Sequence, residues 1–457
     1  MAESSYDCVV IGSGPGGYVA AIRAAQLGMS TAVVERDRVG GRCLNYACIP
    51  AKAVLRSADV LSEVREAGDF GIRVAEPEVD FATVAARREK VISTLTGGVS
   101  GLFKKGNIEV LEGHGALTGR GSVRVGEDGE VSAGAIVLAT GSVKLPIPGV
   151  EFSERVLGTE EVWALSEAPA RIAVVGAGAS GAEIASAYAR LGTEVMLFEA
   201  LDRVLPSEDA DISKVAERQL GRQGIAVHTS TLVSDVTAQK KSVKFSFGEE
   251  TAEVDYLVIA AGRAPDVEGL GLSETGVELD DGGQVRADGA QRTSARGVYA
   301  IGDLVAGPAL AHKASDEGII AVEDAVGMRT HPLAYIDIPR ATFCQPMVAS
   351  FGLTEAQARD QGHDVAVGKV SYGAVGAGIV YGDRSGLIKI VGERRYGELL
   401  GGHIVGSKAT ELIQELVNVR ALEGGFSEVA RSVHGHPTLS EAVMEAARAA
   451  DGWLMHG

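Results

Sequence analysis

The order of apolar and polar positions predicts short buried strands that alternate with amphipathic helices. An apolar run at Cys8–Ile11 has the length of a strand, an Ala-rich helical stretch follows it as far as Gly28, and a second apolar run covers Thr31–Val34. Strands that are apolar throughout are typical of parallel sheets, because both faces of such sheets are covered. This pattern predicts an α/β fold.

Further along the chain, Val54, Ala58 and Leu61 keep the spacing of one helix face, and this predicts a helix that carries Lys52 near its start. Other elements are predicted by apolar runs or helical spacing: strands at Ala135–Leu138, Tyr256–Ile259, Val298–Ile301 and Leu387–Val391, and a helix at Ala409–Val419. Proline-rich stretches at Pro146–Gly149 and Pro332–Pro339 indicate boundaries between domains.

A strand–turn–helix–strand pattern with a Gly-x-Gly-x-x-Gly turn occurs twice. The turn glycines and the acid that ends each unit are Gly12, Gly14, Gly17 and Glu35 in the first copy, and Gly176, Gly178, Gly181 and Glu199 in the second. Every member of the second copy lies 164 residues after its counterpart. A single motif of this kind often marks no more than a turn, but two copies at one offset indicate a duplicated binding unit.

The spacing suits the recognition of a dinucleotide. The first glycine permits a tight turn, the second lets the backbone approach a pyrophosphate, and the third permits close packing of helix on strand. The start of the helix supplies unpaired N–H donors to the phosphates. An acid about 20 residues further on accepts a hydrogen bond from a ribose 2′-hydroxyl. The sequence therefore predicts two bound dinucleotides.

Cys43 and Cys48 form the most informative pair of side chains in the chain. In a continuous helix their Cα atoms would rise about 7.5 Å and point roughly 140° apart. A disulfide requires Cα atoms about 4.4–6.8 Å apart, so a bridge needs a distorted helix start or a turn. Pro50 predicts such a break, because proline disfavours helix at the preceding Ile49. Taken alone, the pair also fits two unrelated buried thiols.

Composition limits the classes of function and partner. The 457 residues allow about three domains, and 46% of them are hydrophobic, which is sufficient for large cores. The net charge of −18 argues against binding to nucleic acids or anionic membranes and allows a basic protein partner. No apolar run approaches the ~20 residues of a membrane span, and the N-terminus does not resemble a signal peptide.

The number of cysteines bears on compartment and on the use of each thiol. Four cysteines in so long a chain do not form a secreted disulfide framework, and this predicts a cytoplasmic enzyme. Cys8 and Cys344 are interpreted as packing residues.

Taken together, the motifs resemble those of the pyridine-nucleotide–disulfide oxidoreductases from end to end, and most closely those of members that oxidise dihydrolipoamide. The motifs that carry the resemblance are the two glycine units, Gly41–Lys52, Ala139–Gly141, Gly262–Pro265, Ala300–Asp303, Leu310–Ala314 and His434–Glu441.

The resemblance implies two Rossmann-like dinucleotide-binding domains and a C-terminal α+β interface domain for dimerisation. The expected domains are an FAD-binding domain at 1–149, an NAD-binding domain at 150–270, a central domain that completes the FAD site at 271–338, and an interface domain at 339–457. It also implies a homodimer, in which the C-terminal histidine of one subunit meets the cysteines of the other.

The resemblance further assigns roles to single residues. It implies that Cys43 exchanges with a dithiol substrate, Cys48 faces the flavin, and His436, oriented by Glu441, acts as the base. The remaining cofactor contacts that it implies come from Lys52, Thr140, Gly141, Glu183, Gly262, Asp303 and Ala311, with FAD and NAD as the cofactors. His434 is interpreted as structural.

The expected reaction is the oxidation of dihydrolipoamide, with hydride passed to NAD⁺. The expected partner is a lipoyl-bearing protein of a 2-oxoacid dehydrogenase or glycine cleavage complex, or a small dithiol or disulfide. Glu199 favours NAD over NADP because a carboxylate repels a 2′-phosphate, although Arg203 lies nearby. No metal site is expected.

The chain departs from the family pattern beside the cysteines. Arg42 stands where the family usually has threonine, Tyr46-Ala47 where it has Val-Gly, Ala51 where it has serine, and Met347 where it has an acid. These changes leave open a related reductase of disulfides or quinones. A non-catalytic scaffold within a complex is a third alternative, which the intact cysteines and His436 disfavour.

Overall fold

The computed structural model describes residues 4–457. The strands are β1 (Ser4–Ile11), β2 (Thr31–Glu35), β3 (Glu109–Glu112), β4 (Gly115–Gly119), β5 (Ser122–Val125), β6 (Gly129–Leu138), β7 (Ser142–Lys144), β8 (Val156–Leu157), β9 (Arg171–Val175), β10 (Glu194–Phe198), β11 (Ala226–His228), β12 (Val233–Ala238), β13 (Val243–Phe247), β14 (Glu250–Val254), β15 (Tyr256–Ile259), β16 (Arg263–Pro265), β17 (Val298–Ala300), β18 (Arg340–Thr342), β19 (Val348–Gly352), β20 (Val365–Ser371), β21 (Leu387–Glu393) and β22 (Leu399–Val405).

The α-helices are α1 (Pro15–Gln26), α2 (Gly41–Asn45), α3 (Cys48–Glu66), α4 (Phe81–Lys105), α5 (Thr159–Trp163), α6 (Ala179–Arg190), α7 (Ala210–Arg222), α8 (Leu272–Thr275), α9 (Ala311–Ala325), α10 (Glu355–Asp360), α11 (Gly376–Val380), α12 (Ala409–Ala421), α13 (Phe426–Arg431) and α14 (Ser440–Ala450). Single turns of 3-10 helix cover Ala67–Phe70, Gly302–Leu304, Tyr335–Asp337 and Tyr372–Ala374.

The chain forms two compact units, each built from several separate segments. The first unit contains the residues up to Ala53 together with Ala82–Leu145 and Gly262–Tyr335, and the second contains Val54–Phe81, Pro146–Ala261 and Ile336–Gly457. The four-domain division expected from the sequence stays a prediction.

The first unit is built on a sheet in the order β3-β2-β1-β6-β5-β4, with β17 also paired to β6. Strands β1, β2, β3, β6 and β17 pair in parallel, while β4 and β5 pair antiparallel. Alternate residues of β1 enter different cores: Val9 and Ile11 pack on one face, and Cys8 and Val10 on the other. The continuous apolar run in the sequence is explained by this two-sided burial.

Helices α1 and α9 pack closely in the first unit because glycines lie at their contact. A Cβ added to Gly16 would lie 2.9 Å from the carbonyl oxygen of Ala314, and one added to Gly318 would lie 2.6 Å from the carbonyl oxygen of Gly16. Both glycines are therefore needed for backbone to meet backbone here. Arg23 of α1 also pairs with Glu323 of α9, at 2.5 Å.

The second unit contains a parallel sheet in the order β11-β10-β9-β15-β8, which repeats the architecture of the first. The pairing register repeats with the sequence, since Cys8 pairs with Thr31 in one sheet and Ile172 with Val195 in the other. The unit also holds an antiparallel sheet in the order β18-β19-β22-β21-β20, whose core includes side chains of α12 and α14. The predicted fold class is confirmed.

Candidate active site

The first glycine loop has the geometry that the sequence predicts for phosphate binding. Gly12 has φ of +99°, and a Cβ there would lie 2.5 Å from the carbonyl oxygen of Ala139. A Cβ on Gly17 would lie 1.9 Å from the carbonyl oxygen of Gly12, so only glycine lets α1 begin this close to β1. A Cβ on Gly14 would meet no atom within 4 Å. This opening in front of the start of α1 fits a dinucleotide pyrophosphate.

The second glycine loop repeats this arrangement almost atom for atom. Gly176 has φ of +98°, and a Cβ there would lie 2.6 Å from the carbonyl oxygen of Ala260. A Cβ on Gly181 would lie 1.8 Å from the carbonyl oxygen of Gly176, whereas one on Gly178 would again meet nothing within 4 Å. The residues of both loops therefore fit a dinucleotide.

The acid of each unit is bound to its own glycine loop. Glu35 Oε2 accepts a hydrogen bond from the N–H of Ser13, and Oε1 accepts one from Asp37, both at 2.9 Å. Glu199 accepts the equivalent bonds from Ala177 at 2.7 Å and Leu201 at 3.0 Å. Because a carboxylate oxygen has two acceptor sites, Glu35 Oε1 and both oxygens of Glu199 can each accept a further bond. Sequence spacing placed these acids correctly but did not indicate that they brace the loop.

The two cysteines lie on either side of a helix break. Cys43 is in the short helix α2, which ends as the N–H groups of Tyr46 and Ala47 both bond to the carbonyl of Arg42, and Cys48 begins α3. The break predicted at Pro50 therefore lies earlier, at Tyr46-Ala47. Proline fits within the first turn of α3, where its missing N–H has no helical partner to lose.

Both cysteines carry thiols here, without a disulfide. The pKa of the Cys43 thiol is raised, first by its hydrogen bond with Cys48 and then by burial, and the cations Lys52 and Arg42 oppose this shift. Lys52 lies in the first turn of α3. The two thiols thus lie within hydrogen-bonding reach of each other, and an exchange between dithiol and disulfide requires such proximity.

Other predicted cofactor residues of the first unit are held by one set of hydrogen bonds. The Thr140 hydroxyl donates to the Asp266 carbonyl at 2.7 Å, the Gly141 carbonyl accepts from the Asp266 N–H at 2.9 Å, and the Ser142 hydroxyl donates to Asp303 at 2.5 Å. Since the Thr140 hydroxyl donates its proton internally, it can meet a cofactor only as an acceptor. Ser142 and Asp266 were not identified from the sequence.

Gly262 and Ala311, two further predicted cofactor residues, belong to the first unit. Gly262 has φ of +149° and precedes β16, and Ala311 is the first residue of α9.

Beneath the Asp303 turn lies a buried ion pair: Lys313 Nζ is 3.1 Å from Glu317 Oε1 and donates to the Gly302 carbonyl at 2.9 Å. Lys313 lies in the Leu310–Ala314 motif, whereas Glu317 lies outside it and was not identified from the sequence.

Glu183 lies on α6, in the second unit, and is 5% exposed. Its Oε1 accepts a hydrogen bond from the N–H of Phe343 at 2.8 Å. One turn later on α6, the Ser186 hydroxyl accepts from the N–H of Gln345 at 3.0 Å. Glu183, predicted as a cofactor contact, therefore also binds the segment that leads into β19.

The predicted base and its partner lie together in the second unit. His436 Nδ1 is 2.9 Å from Glu441 Oε1, and 76% of the His436 side chain is exposed. Partial burial opposes it, but the Thr438 N–H, at 2.8 Å from Oε2, and the imidazole hold the pKa of Glu441 below its usual value. Glu441 therefore stays ionised and can fix the imidazole with Nε2 directed away from it.

His434 has different surroundings from His436. Its Nε2 is 2.6 Å from Glu415 Oε1 and its Nδ1 is 3.0 Å from the Ser432 carbonyl, so both ring nitrogens are bound within the protein.

Cys8 and Cys344, interpreted from the sequence as packing residues, are 0% and 1% exposed. The two candidate centres belong to different units, the cysteines to the first and the His436–Glu441 pair to the second.

The described part of the chain has neither a membrane-spanning helix nor a cluster of metal-binding side chains. Among residues 4–457, no helix is long and apolar enough to cross a bilayer. The same residues contain no group of three or more histidine, cysteine, aspartate or glutamate side chains arranged to hold a metal ion.

Comparison with known proteins extends over the whole chain. Residues 6–318 match the sequence family described as pyridine nucleotide-disulphide oxidoreductase, and residues 338–447 match the dimerisation domain of the same family. A dihydrolipoyl dehydrogenase of Bacillus subtilis is 40% identical, with 99% of each chain covered. Another, from Mycobacterium bovis, is 41% identical and covers 96% of this chain and 97% of its own.

Solved structures show the same architecture. LpdA from Mycobacterium tuberculosis superimposes with a TM-score of 0.90 at 27% identity, covering 97% of this chain and 99% of its own. A Cu(II) complex of the HOCl-induced flavoprotein disulfide reductase RclA from Escherichia coli gives a TM-score of 0.88 at 25% identity, with 97% and 99% covered.

Proposed function

The chain belongs to the pyridine nucleotide-disulphide oxidoreductase family, and we propose that it oxidises dihydrolipoamide to lipoamide with NAD⁺ as the acceptor. It is an FAD- and pyridine-nucleotide-dependent enzyme. The observation that supports this substrate is the hydrogen-bonded pair of thiols, Cys43 and Cys48, in a chain about 40% identical to dihydrolipoyl dehydrogenases over its full length.

Cys43 is the thiol that exchanges with substrate, and Cys48 is the one that faces the flavin. One thiolate of dihydrolipoamide attacks the oxidised Cys43–Cys48 disulfide at Cys43, and the second thiolate then releases lipoamide. The two cysteines take up the electron pair that the substrate loses. FAD, held by the first glycine loop, would supply the redox chemistry that passes this pair to NAD⁺ as a hydride, so that the overall reaction yields lipoamide, NADH and one proton. Lys52 supplies positive charge beside the pair.

His436 is the base that removes a proton from the substrate thiol. Its exposed ring and its bond to the ionised Glu441 support this role, because the carboxylate stabilises the imidazolium that forms. His434, held on both nitrogens, is structural.

The first glycine loop holds FAD and the second holds NAD. Glu35 and Glu199 each retain acceptor capacity for a ribose hydroxyl, and Glu199 favours NAD over NADP by repelling a 2′-phosphate. Lys52, Thr140, Gly141, Gly262, Asp303 and Ala311 complete the flavin site, and Glu183 lies on the nicotinamide side.

The working form is a cytoplasmic homodimer that serves a lipoyl-bearing protein of a 2-oxoacid dehydrogenase or glycine cleavage complex. The chain carries the dimerisation domain of its family. Native mass measurement of the flavin-loaded enzyme tests the assembly, and an active monomer would contradict it.

Steady-state reduction of NAD⁺ by dihydrolipoamide tests the reaction itself. Cys43→Ser should abolish this activity while FAD stays bound, because the glycine loop and the Asp303 turn do not depend on the thiol. Cys344→Ala, a change at a buried thiol outside the site, is the matched control and should keep most of the activity. Rapid reduction of quinones or small disulfides by NADH, without turnover of dihydrolipoamide, would instead support the related-reductase alternative.

A further inference from the structure

Tyr46 occupies the break between the two cysteine helices and is fixed at both its backbone and its side chain. Its N–H donates to the carbonyl of Arg42 at 2.8 Å, which ends α2. Its hydroxyl donates to Asp37 Oδ2 at 2.7 Å. The side chain thus spans from the cysteine loop to the turn that follows β2.

That turn is itself part of the first dinucleotide site. The N–H of Asp37 donates to Glu35 Oε1 at 2.9 Å, and Glu35 Oε2 holds the glycine loop through Ser13. A continuous chain of contacts therefore joins the glycine loop, the acid and Asp37 to Tyr46, one of the four residues between the cysteines.

The raised pKa of Tyr46 keeps its hydroxyl protonated and therefore able to donate a hydrogen bond. Partial burial, the hydrogen bond to Asp37 and the negative charge of Asp37 raise the pKa of Tyr46 to about 12. The guanidinium of Arg38 lies over the phenol ring, 5.8 Å from its centroid, within the range of a cation–π contact. The hydroxyl consequently keeps its proton over the whole range in which the enzyme is handled.

We propose that Tyr46 is a positioning residue that holds the Cys43–Cys48 loop in the shape that closes the disulfide, and so makes the cysteine pair easier to oxidise. This inference rests on the proposed function only in taking Cys43 and Cys48 as a redox pair. It gives a physical reason for Tyr46, which stands where the family usually has valine.

The effect arises in the dithiol state. When the disulfide has formed, the S–S bond restrains the loop with or without Tyr46. When both sulfurs are thiols, the Tyr46–Asp37 bond is the side-chain contact that ties the break to the turn after β2, and its loss lets the dithiol state gain conformational freedom. Removing the bond therefore shifts the equilibrium towards the dithiol and raises the reduction potential.

The reduction potential of the FAD-loaded enzyme tests this directly. The protein is equilibrated with mixtures of reduced and oxidised dithiothreitol, in which two electrons and two protons pass between the reagent and the cysteines. The dithiol fraction is then read by alkylation and mass measurement of the peptides. Tyr46→Phe should shift the equilibrium constant about threefold to tenfold towards the dithiol, and tenfold corresponds to about 30 mV.

Tyr6→Phe is the matched control, because Tyr6 also donates its hydroxyl to a carboxylate at 2.7 Å, that of Glu109, away from the cysteine loop. It should leave the equilibrium unchanged. Asp37→Asn, which keeps the shape and removes the charge, is a second variant and should shift the equilibrium in the same direction as Tyr46→Phe but less. If Tyr46→Phe loses FAD, the Asp37→Asn result decides the question.

Equal potentials in the wild type, the loop variants and Tyr6→Phe would overturn the inference and leave the proposed function intact. Failure of the wild type to form any Cys43–Cys48 disulfide would overturn the proposed function itself.

Discussion

His436 Nδ1 lies 2.9 Å from Glu441 Oε1, and this contact leaves the other ring nitrogen exposed to solvent. We therefore expect His436→Ala to slow dithiol oxidation by about 10²–10⁴-fold, the usual contribution of a positioned proton acceptor. Reduction of the flavin by NADH should change much less, because hydride transfer does not use this base. Stopped-flow measurement of the two half-reactions separates these outcomes. His434→Gln is the control and should spare dithiol oxidation; near-normal dithiol oxidation by His436→Ala would make that histidine structural as well.

The glycines of the second loop allow a paired test of cofactor binding. Gly178→Ala adds a methyl group into open space, so the fold should be unaffected while the KM for NADH rises about tenfold or more, since the methyl would occupy the phosphate position. Gly181→Ala places the same group 1.8 Å from a backbone oxygen and should destabilise the protein by roughly 1–3 kcal/mol or more. Steady-state kinetics and thermal unfolding distinguish the two variants. An unchanged KM in Gly178→Ala would show that no phosphate approaches this glycine.

Selection between NADH and NADPH should depend on Glu199. The wild type should prefer NADH in kcat/KM by at least about tenfold, equivalent to about 1.4 kcal/mol. Glu199→Gln removes the charge that repels a 2′-phosphate and should narrow this preference. Glu35→Gln is the same change at the equivalent position of the first unit and serves as the control. It should weaken FAD retention and leave the ratio of kcat/KM for NADH to that for NADPH unchanged. A wild-type preference for NADPH would indicate that Arg203 dominates the pocket.

The buried pair Lys313–Glu317 should contribute more to stability than ion pairs at the surface. Both side chains are 0% exposed, Glu317 also accepts from the Gly302 N–H at 2.8 Å, and the Tyr335 hydroxyl donates to it. Glu317→Ala leaves an uncompensated buried ammonium and should cost about 3–5 kcal/mol. Urea unfolding of the FAD-loaded protein measures this. Glu253→Ala, which removes one partner of an exposed pair with Lys244, should change the unfolding midpoint little.

Stability should depend on pH through His434. Its hydrogen bond to Glu415, against the effect of burial, raises the pKa of His434 from the ordinary 6.5. A histidine with a raised pKa stabilises the fold fully below the unfolded value and loses that contribution as pH rises through the folded value. The deficit of His434→Gln against wild type should thus be about 1 kcal/mol near pH 5.5 and smaller near pH 9. An equal deficit at both pH values would mean that the histidine is neutral in the fold.

Much of the architecture could be predicted because it depends on spacing. The offset of 164 residues recurs in the strand register and in the carboxylate bonds of Glu35 and Glu199. A Cβ at the first or third glycine of either loop would collide with backbone, so few residue types are possible there. The spacing of the glycines was therefore sufficient to predict where both loops lie. The contact of His436 with Glu441 was likewise expected from a motif six residues long.

The buried ionic contacts of Lys389 could not be predicted, because its partners are distant in the sequence. Lys389 lies in a run that reads as an apolar strand, yet its ammonium is 2.8 Å from Asp209 and 2.7 Å from Asp211. The helix break was misplaced for a local reason: proline restricts the preceding residue only on average, and the first turn of a helix accommodates Pro50.

The glycine contact between α1 and α9 makes the two copies of the glycine unit differ in their support. Gly16 is buried beneath α9, whereas Ala179 and Ser180, which correspond to Pro15 and Gly16 in the second unit, are exposed. The start of α1 can therefore shift only if α9 shifts with it, whereas the start of α6 has no such restraint at these two positions. One sequence pattern, used twice, thus forms one loop that a second helix supports and one whose corresponding positions face solvent.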